Sequence, residues 1–111
     1  MVYAESKIQM EIVNCLQQMG VFFFAVPNER KQSPRSGARM KSMGVRSGVA
    51  DIIIMGEKGR GFCLEVKSAT GRQSETQKAF QAKCVLLDWP YALVRSVEDV
   101  RRVGQLWGLF S

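Results

Sequence analysis

The chain has 111 residues, enough for one domain around one core but short on buried area, so a second copy would help to cover it. Apolar residues make up 46% of it, yet no stretch approaches the ~20 apolar residues of a membrane span and the N-terminus lacks the three regions of a secretory signal; the expectation is a soluble, cytosolic protein. The net charge of +6 suits a phosphate-rich partner, and the absence of histidine excludes Ser-His and Cys-His nucleophile pairs and any histidine base, leaving catalysis to carboxylates, lysine and a metal.

Over residues 4–19, Ile8, Ile12, Cys15, Leu16 and Met19 recur at helical spacing, and Gly20 closes the segment. Residues 21–26, with three successive phenylalanines, read as a strand buried on both faces and ended by Pro27. A polar stretch over 28–48 follows, with Arg30, Lys31, Arg35, Arg39, Lys41 and Arg46 set against Glu29 alone. It is either a solvated loop or a surface for phosphates. Within it Ser33-Pro34 has the form of an N-cap with proline in the first turn, and Gly44 can close a short helix over 34–43. Asn28 reads as a turn residue or as a polar contact near a site, and Gly48 as a close backbone approach.

Residues 50–55 form a β-branched run and 62–68 alternate, with a glycine-bearing turn over 56–61 between them: two adjacent antiparallel strands. Residues 74–77 match a capping box that opens a helix with Phe80, Cys84 and Leu87 on one face, broken at Asp88-Trp89-Pro90. Residues 91–95 make a last strand, and Ser96 caps a final helix carrying Val97, Val100, Val103, Leu106 and Trp107. No repeat or linker interrupts the order, so 1–111 reads as a single domain. Cys15, Cys63 and Cys84, with no Cys-x-x-Cys pair, read as buried thiols rather than a zinc site.

The alternation over 62–68 puts Phe62, Leu64 and Val66 on one face and Cys63, Glu65 and Lys67 on the other. Asp51, which opens the preceding hairpin strand among otherwise apolar neighbours, can come near Glu65 across the pair. Two carboxylates and an ammonium then converge, which is a donor set for a hard cation such as Mg2+ together with a cation for phosphate charge. The acid-x-Lys spacing occurs three times, at Glu5/Lys7, Glu29/Lys31 and Glu65/Lys67, so spacing alone decides nothing. Only the third lies on a strand next to another acid; its alternative is a surface cross-strand ion pair. Glu5 falls on the apolar stripe of its helix, either facing a cation or resting in water at the first turn.

Taken together, Glu5 and Gln9 on a first helix, VPNER at 26–30, KSMGVRSGVAD at 41–51, CLEVKS at 63–68 and a helix with Gln77 resemble the virus-type replication-repair nuclease family (VRR-Nuc), a branch of the PD-(D/E)xK superfamily, over nearly the whole chain. The resemblance implies an α/β restriction-endonuclease-like core, ordered helix-strand-strand-strand-helix-strand-helix, with a central mixed sheet flanked by helices. It implies a Mg2+- or Mn2+-dependent DNA endonuclease with Asp51, Glu65 and Lys67 catalytic, Glu5 and Gln77 auxiliary, and Asp51, Glu65, Val66 and Glu5 around the metal. Similarity to short, stand-alone phage or bacterial members implies a homodimer acting on branched DNA such as four-way junctions, in replication or repair, in the cytoplasm of a bacterial or phage-infected cell. No small-molecule cofactor or membrane is implied. Ala50 departs from the superfamily's proline before the aspartate, a position that shapes the chain rather than binding metal. For Gln77 the capping box remains a sufficient account. Competing readings are a nucleic-acid-binding module without catalysis and a structural subunit docked through Leu106, Trp107, Leu109 and Phe110; that same tail can instead close the protein's own core or a homodimer.

Overall fold

The computed structural model describes residues 2–27 and 33–109. Arg30, Lys31, Asn28 and Phe110 lie outside the described residues. The elements are α1 (Val2–Met19), β1 (Phe22–Ala25), α2 (Pro34–Ser42), β2 (Ile52–Met55), β3 (Gly61–Val66), α3 (Glu75–Leu86), β4 (Tyr91–Val94) and α4 (Val97–Leu106), with a 3-10 turn over Glu57–Gly59 between β2 and β3. The sheet runs β1-β2-β3-β4; its first two pairings are antiparallel and the last, bridged by α3, is parallel. This is the mixed sheet flanked by helices that the sequence leads one to expect.

Each helix stops and starts for a local reason. Gly20, at φ 75°, takes the left-handed conformation that ends α1. The Ser33 hydroxyl accepts from the Ser36 N–H at the head of α2, where Pro34 needs no donor partner. Ser74 and Gln77 form a reciprocal capping box on α3, and the Ser96 hydroxyl caps α4 through Asp99.

The alternation of β3 splits the protein into two layers. Phe62, Leu64 and Val66 point into the main core with Ile52 and Ile54 of β2, Ile12 and Leu16 of α1, Val94 and Val100. Each such buried side chain contributes on the order of 1.5–3 kcal/mol relative to an exposed one. On the opposite face a smaller cluster joins Ala50, Cys63 and Cys84, with Ile53, Phe80 and Tyr91 packed against it. All three cysteines are buried thiols.

Two expectations are corrected. β1 is not buried on both faces: it is an edge strand that pairs only with β2, Phe23 packs on the core, and Phe22 and Phe24 are exposed. The helix on that side, α3, packs on β4 and leaves the β1 margin uncovered. Leu87, expected on one helical face with Phe80 and Cys84, is instead the exposed C-cap, because the helix ends at Leu86. Of the alternatives open for the C-terminal tail, closing the protein's own core is the one seen at Trp107 and Leu109: Trp107 lies against Phe62 at 4.9 Å between centroids, tilted by 31°, Leu109 packs on the core, and Leu106 is exposed.

Candidate active site

Asp51 stands just before β2, yet it is tied to β3 on both its main chain and its side chain. Its N–H donates to the Leu64 carbonyl (3.1 Å), and its Oδ2 accepts the Val66 N–H at 2.7 Å. The Asp51 carbonyl in turn accepts the Val26 N–H (2.8 Å) from the end of β1. The aspartate therefore extends the ladder with a side-chain oxygen in place of a main-chain one. Val66 meets it through its main chain, since its side chain belongs to the core.

Glu65 is completely buried, at 0% exposure. A carboxylate in that position needs donors, and it has them: Gln77 Nε2 at 2.7 Å from Oε2, the Tyr91 hydroxyl at 3.0 Å from Oε1, and Lys67 Nζ at 3.7 Å from Oε2. Burial, and then the charge of Asp51, push its carboxyl up to about 7; the Tyr91 hydrogen bond and the Lys67 ammonium pull the other way. Lys67, just past β3, is itself buried, and its N–H continues the ladder to Val94. The alternative of a solvent-exposed cross-strand pair is excluded by that burial.

Gln77 is both a helix cap and a hydrogen-bond partner of Glu65. Its Oε1 accepts the Ser74 N–H (2.8 Å) as one arm of the capping box, and this fixes the amide so that Nε2 faces Glu65. Glu5, half-buried in the first turn of α1, also turns inward. A Cβ at Gly71 would come within 3.0 Å of Glu5 Oε2, and the charge of Glu5 adds to the upward push on Glu65.

Glu5, Asp51, Lys67 and Gln77 line one cleft of about 800 Å³ together with Lys41 and Arg46, and the buried Glu65 lies behind Lys67 and Gln77. The structure thus brings the last two basic residues of the 28–48 stretch to the acids. Arg35 and Arg39 are exposed on α2. Gly48 makes the cleft possible: at φ 81° it lies so tightly under α3 that a Cβ would overlap the Thr76 carbonyl.

Among the described residues no three histidine, cysteine or acidic side chains form a metal-holding group. The donors at hand are the oxygens of Asp51 and Glu65, with Glu5 on the same cleft. Such a set fits a hard cation that completes its shell with water and phosphate oxygens, and fits a thiol-seeking ion poorly.

Tyr91 and Gln73 are parts of the site that the sequence reading omits. Tyr91 opens β4 beside Cys63, and Gln73 reaches its hydroxyl from the loop before α3. Tyr91 carries no motif; only the parallel register places it next to Glu65.

No family model matches the chain, and no curated protein does. Solved structures do. One, described as a VRR_NUC domain, is 17% identical with a TM-score of 0.61, over 97% of this chain and 98% of that one. Another, a VRR_NUC domain protein, is 20% identical with a TM-score of 0.64, over 94% and 87%. The mixed sheet with the crossover helix α3 is an α/β core shared with these structures. More narrowly, the fold is that of the VRR_NUC domain along nearly the whole chain. No helix of the described residues is long and apolar enough to cross a membrane.

Proposed function

We propose that this chain is a metal-dependent DNA endonuclease of the VRR-Nuc type, hydrolysing phosphodiester bonds with Asp51, Glu65 and Lys67. The observation that carries the reading is the fully buried Glu65, held by Gln77 and Tyr91 beside Lys67, next to a cleft lined by Asp51, Lys67, Gln77, Lys41 and Arg46. A buried ionisable cluster facing an open, positively charged cleft is costly as mere scaffold and is typical of a reaction site.

Asp51 and Glu65 would hold a divalent cation such as Mg2+ or Mn2+, which when bound would supply Lewis-acid charge to the phosphate and lower the pKa of water. The chain's own groups do the rest. Lys41 and Arg46 hold phosphates at the rim, with Arg30, Lys31, Arg35 and Arg39 extending the same basic stretch. Lys67, whose Nζ lies 3.7 Å from Glu65, orients the attacking water and neutralises charge growing on the phosphoryl oxygens in this reading. Glu5 faces the same cleft and adds negative charge that favours a cation there. Gln77 keeps Glu65 aimed.

The substrate class proposed is branched DNA, four-way junctions included, processed in replication or repair by a homodimer with two sites. The support for a second copy lies on the sheet margin, where Phe22, Phe24 and Met55 are exposed, rather than on the C-terminal turn. Purified protein incubated with labelled branched and linear DNAs in Mg2+, Mn2+ or EDTA tests the reading. Cleavage confined to the metal-containing samples supports it; DNA binding of equal strength with no cleavage in any of them makes the chain a binding module.

A further inference from the structure

Glu65 needs more than one donor to serve as a ligand of defined direction, because the terminal torsion of a glutamate side chain is broad and roughly two-fold. Gln77 fixes one oxygen. The other is fixed by a chain of hydrogen bonds whose direction the structure determines. Gln73 Nε2 donates to Gln81 Oε1 at 2.9 Å and to the Tyr91 hydroxyl oxygen at 3.0 Å. Both amide hydrogens are then in use, so the Tyr91 oxygen is an acceptor on that side, and its single hydrogen goes to Glu65 Oε1 at 3.0 Å. The Tyr91 ring is kept in place by Phe80, 6.1 Å away between centroids and tilted by 56°.

We propose that Tyr91, oriented by Gln73, is a positioning residue that sets the direction in which Glu65 presents its carboxylate to a divalent cation. The proposal rests on the metal-dependent reading of the site. Tyr91 touches neither substrate nor cation in this account; it acts through Glu65 alone. With a donor on each oxygen, the carboxylate plane is held in one orientation. Partners of this kind, one bond removed from a metal ligand, typically change metal affinity by 10–100-fold when lost.

The test uses the full-length protein without DNA and Mn2+ as the probe, with free Mn2+ followed by electron paramagnetic resonance. Tyr91→Phe keeps the ring and removes only the hydroxyl; Gln73→Leu keeps Tyr91 and removes its orienting donor; Asp51→Ala marks the site itself. The expected result is Mn2+ binding in the wild type that Asp51→Ala abolishes, Tyr91→Phe weakens about tenfold, and Gln73→Leu weakens by a smaller factor. The Mn2+ concentration for half-maximal cleavage should move by the same factors, while DNA affinity in EDTA stays at the wild-type value. A purely structural tyrosine would lower thermal stability without moving Mn2+ affinity. Wild-type Mn2+ affinity in Tyr91→Phe overturns the proposal and leaves the site reading intact. A wild type with no Mn2+ binding sensitive to Asp51→Ala overturns both. Should Tyr91→Phe fail to fold, Gln73→Leu carries the same test: weakened binding supports the proposal, and unchanged binding overturns it.

Discussion

Gln77 and Glu65 are joined by a 2.7 Å hydrogen bond whose direction is set from outside the site, because the carbonyl end of the Gln77 side chain is already committed to the Ser74 N–H. One residue therefore starts α3 and aims the buried carboxylate. The cap and the site can be separated by mutation. Ser74→Ala removes the hydroxyl that accepts the Gln77 N–H but leaves the Gln77 amide on Glu65. It should cost about 1 kcal/mol of stability and leave cleavage near the wild-type rate. Gln77→Ala should cost a similar amount and also cut single-turnover cleavage about tenfold or more, as loss of a ligand's partner does. Urea denaturation and cleavage rates measured on both variants check this; equal losses of activity in the two would mean that Gln77 acts only as a cap.

The carboxyl of Glu65 gives the metal-free protein a pH dependence of definite sign. Its folded-state value is pushed up to about 7 from an ordinary 4.5, by burial first and by Asp51 second. The folded protein thus holds a proton that the unfolded chain releases. The stabilisation from this group is complete below pH about 4.5 and is lost as pH rises through about 7. Asp99 has the opposite sign: the Arg95 N–H first, then Arg102 and Ser96, hold it below its ordinary 3.8, so its contribution is lost only in stronger acid. In EDTA, the urea midpoint should fall between pH 5 and pH 8, and Glu65→Gln should flatten that fall. A slope unchanged in Glu65→Gln would show that another group governs it.

Lys41 and Arg46 line the cleft while Arg35 and Arg39 stand exposed on α2. If DNA phosphates run along the cleft, each contact contributes about 0.9 to the slope of log K against log salt. Replacing Lys41 and Arg46 together by Ala should lower the slope by about 2, and replacing Arg35 and Arg39 should lower it less. Fluorescence anisotropy with a labelled junction in EDTA, titrated at several NaCl concentrations, measures both. Equal slopes in all three proteins would place the DNA elsewhere.

Gly48→Ala should be severely destabilising, because the backbone is left-handed there and a Cβ would overlap Thr76. Left-handed strain alone costs about 1–3 kcal/mol, and the overlap with main chain adds to it. The urea midpoint is the measurement, and a change under about 0.5 kcal/mol, the range of an ordinary surface substitution, would contradict the packing described.

Much of this was legible in the sequence, for identifiable reasons. The period-two alternation of β3 announces which side Glu65 faces, and the short turn before it announces the neighbour that brings Asp51 across. Ser33-Pro34 and Ser74 to Gln77 mark helix starts by hydrogen bonds local enough to be read from spacing. Three successive phenylalanines in β1, by contrast, show no alternation, and whether a strand lies at a sheet's edge is a property of topology. Tyr91 was hidden because parallel register depends on the length of the α3 crossover, not on any residue in β4. For Gln77 the capping box is readable from spacing and an auxiliary role follows only from the resemblance; a side-chain amide has two ends, and only the fold shows that the second one meets Glu65.

A second copy across the β1 margin should be visible as mass. Static light scattering at micromolar protein should give twice the 12.5 kDa of the chain, and Phe22→Ser with Phe24→Ser should return it to one chain without unfolding it, since both side chains are exposed. A wild-type monomer, alone and with junction DNA, would remove the dimer from the account.

The central claim is that Asp51, Glu65 and Lys67 together cut the phosphodiester bond. The most direct measurement is single-turnover cleavage of a labelled four-way junction in Mg2+ by the wild type and by Asp51→Ala, Glu65→Ala and Lys67→Ala, each first shown to be folded and to bind the junction in EDTA. The account predicts cleavage by the wild type and none detectable by the three variants. Near wild-type turnover in any one of them would contradict it.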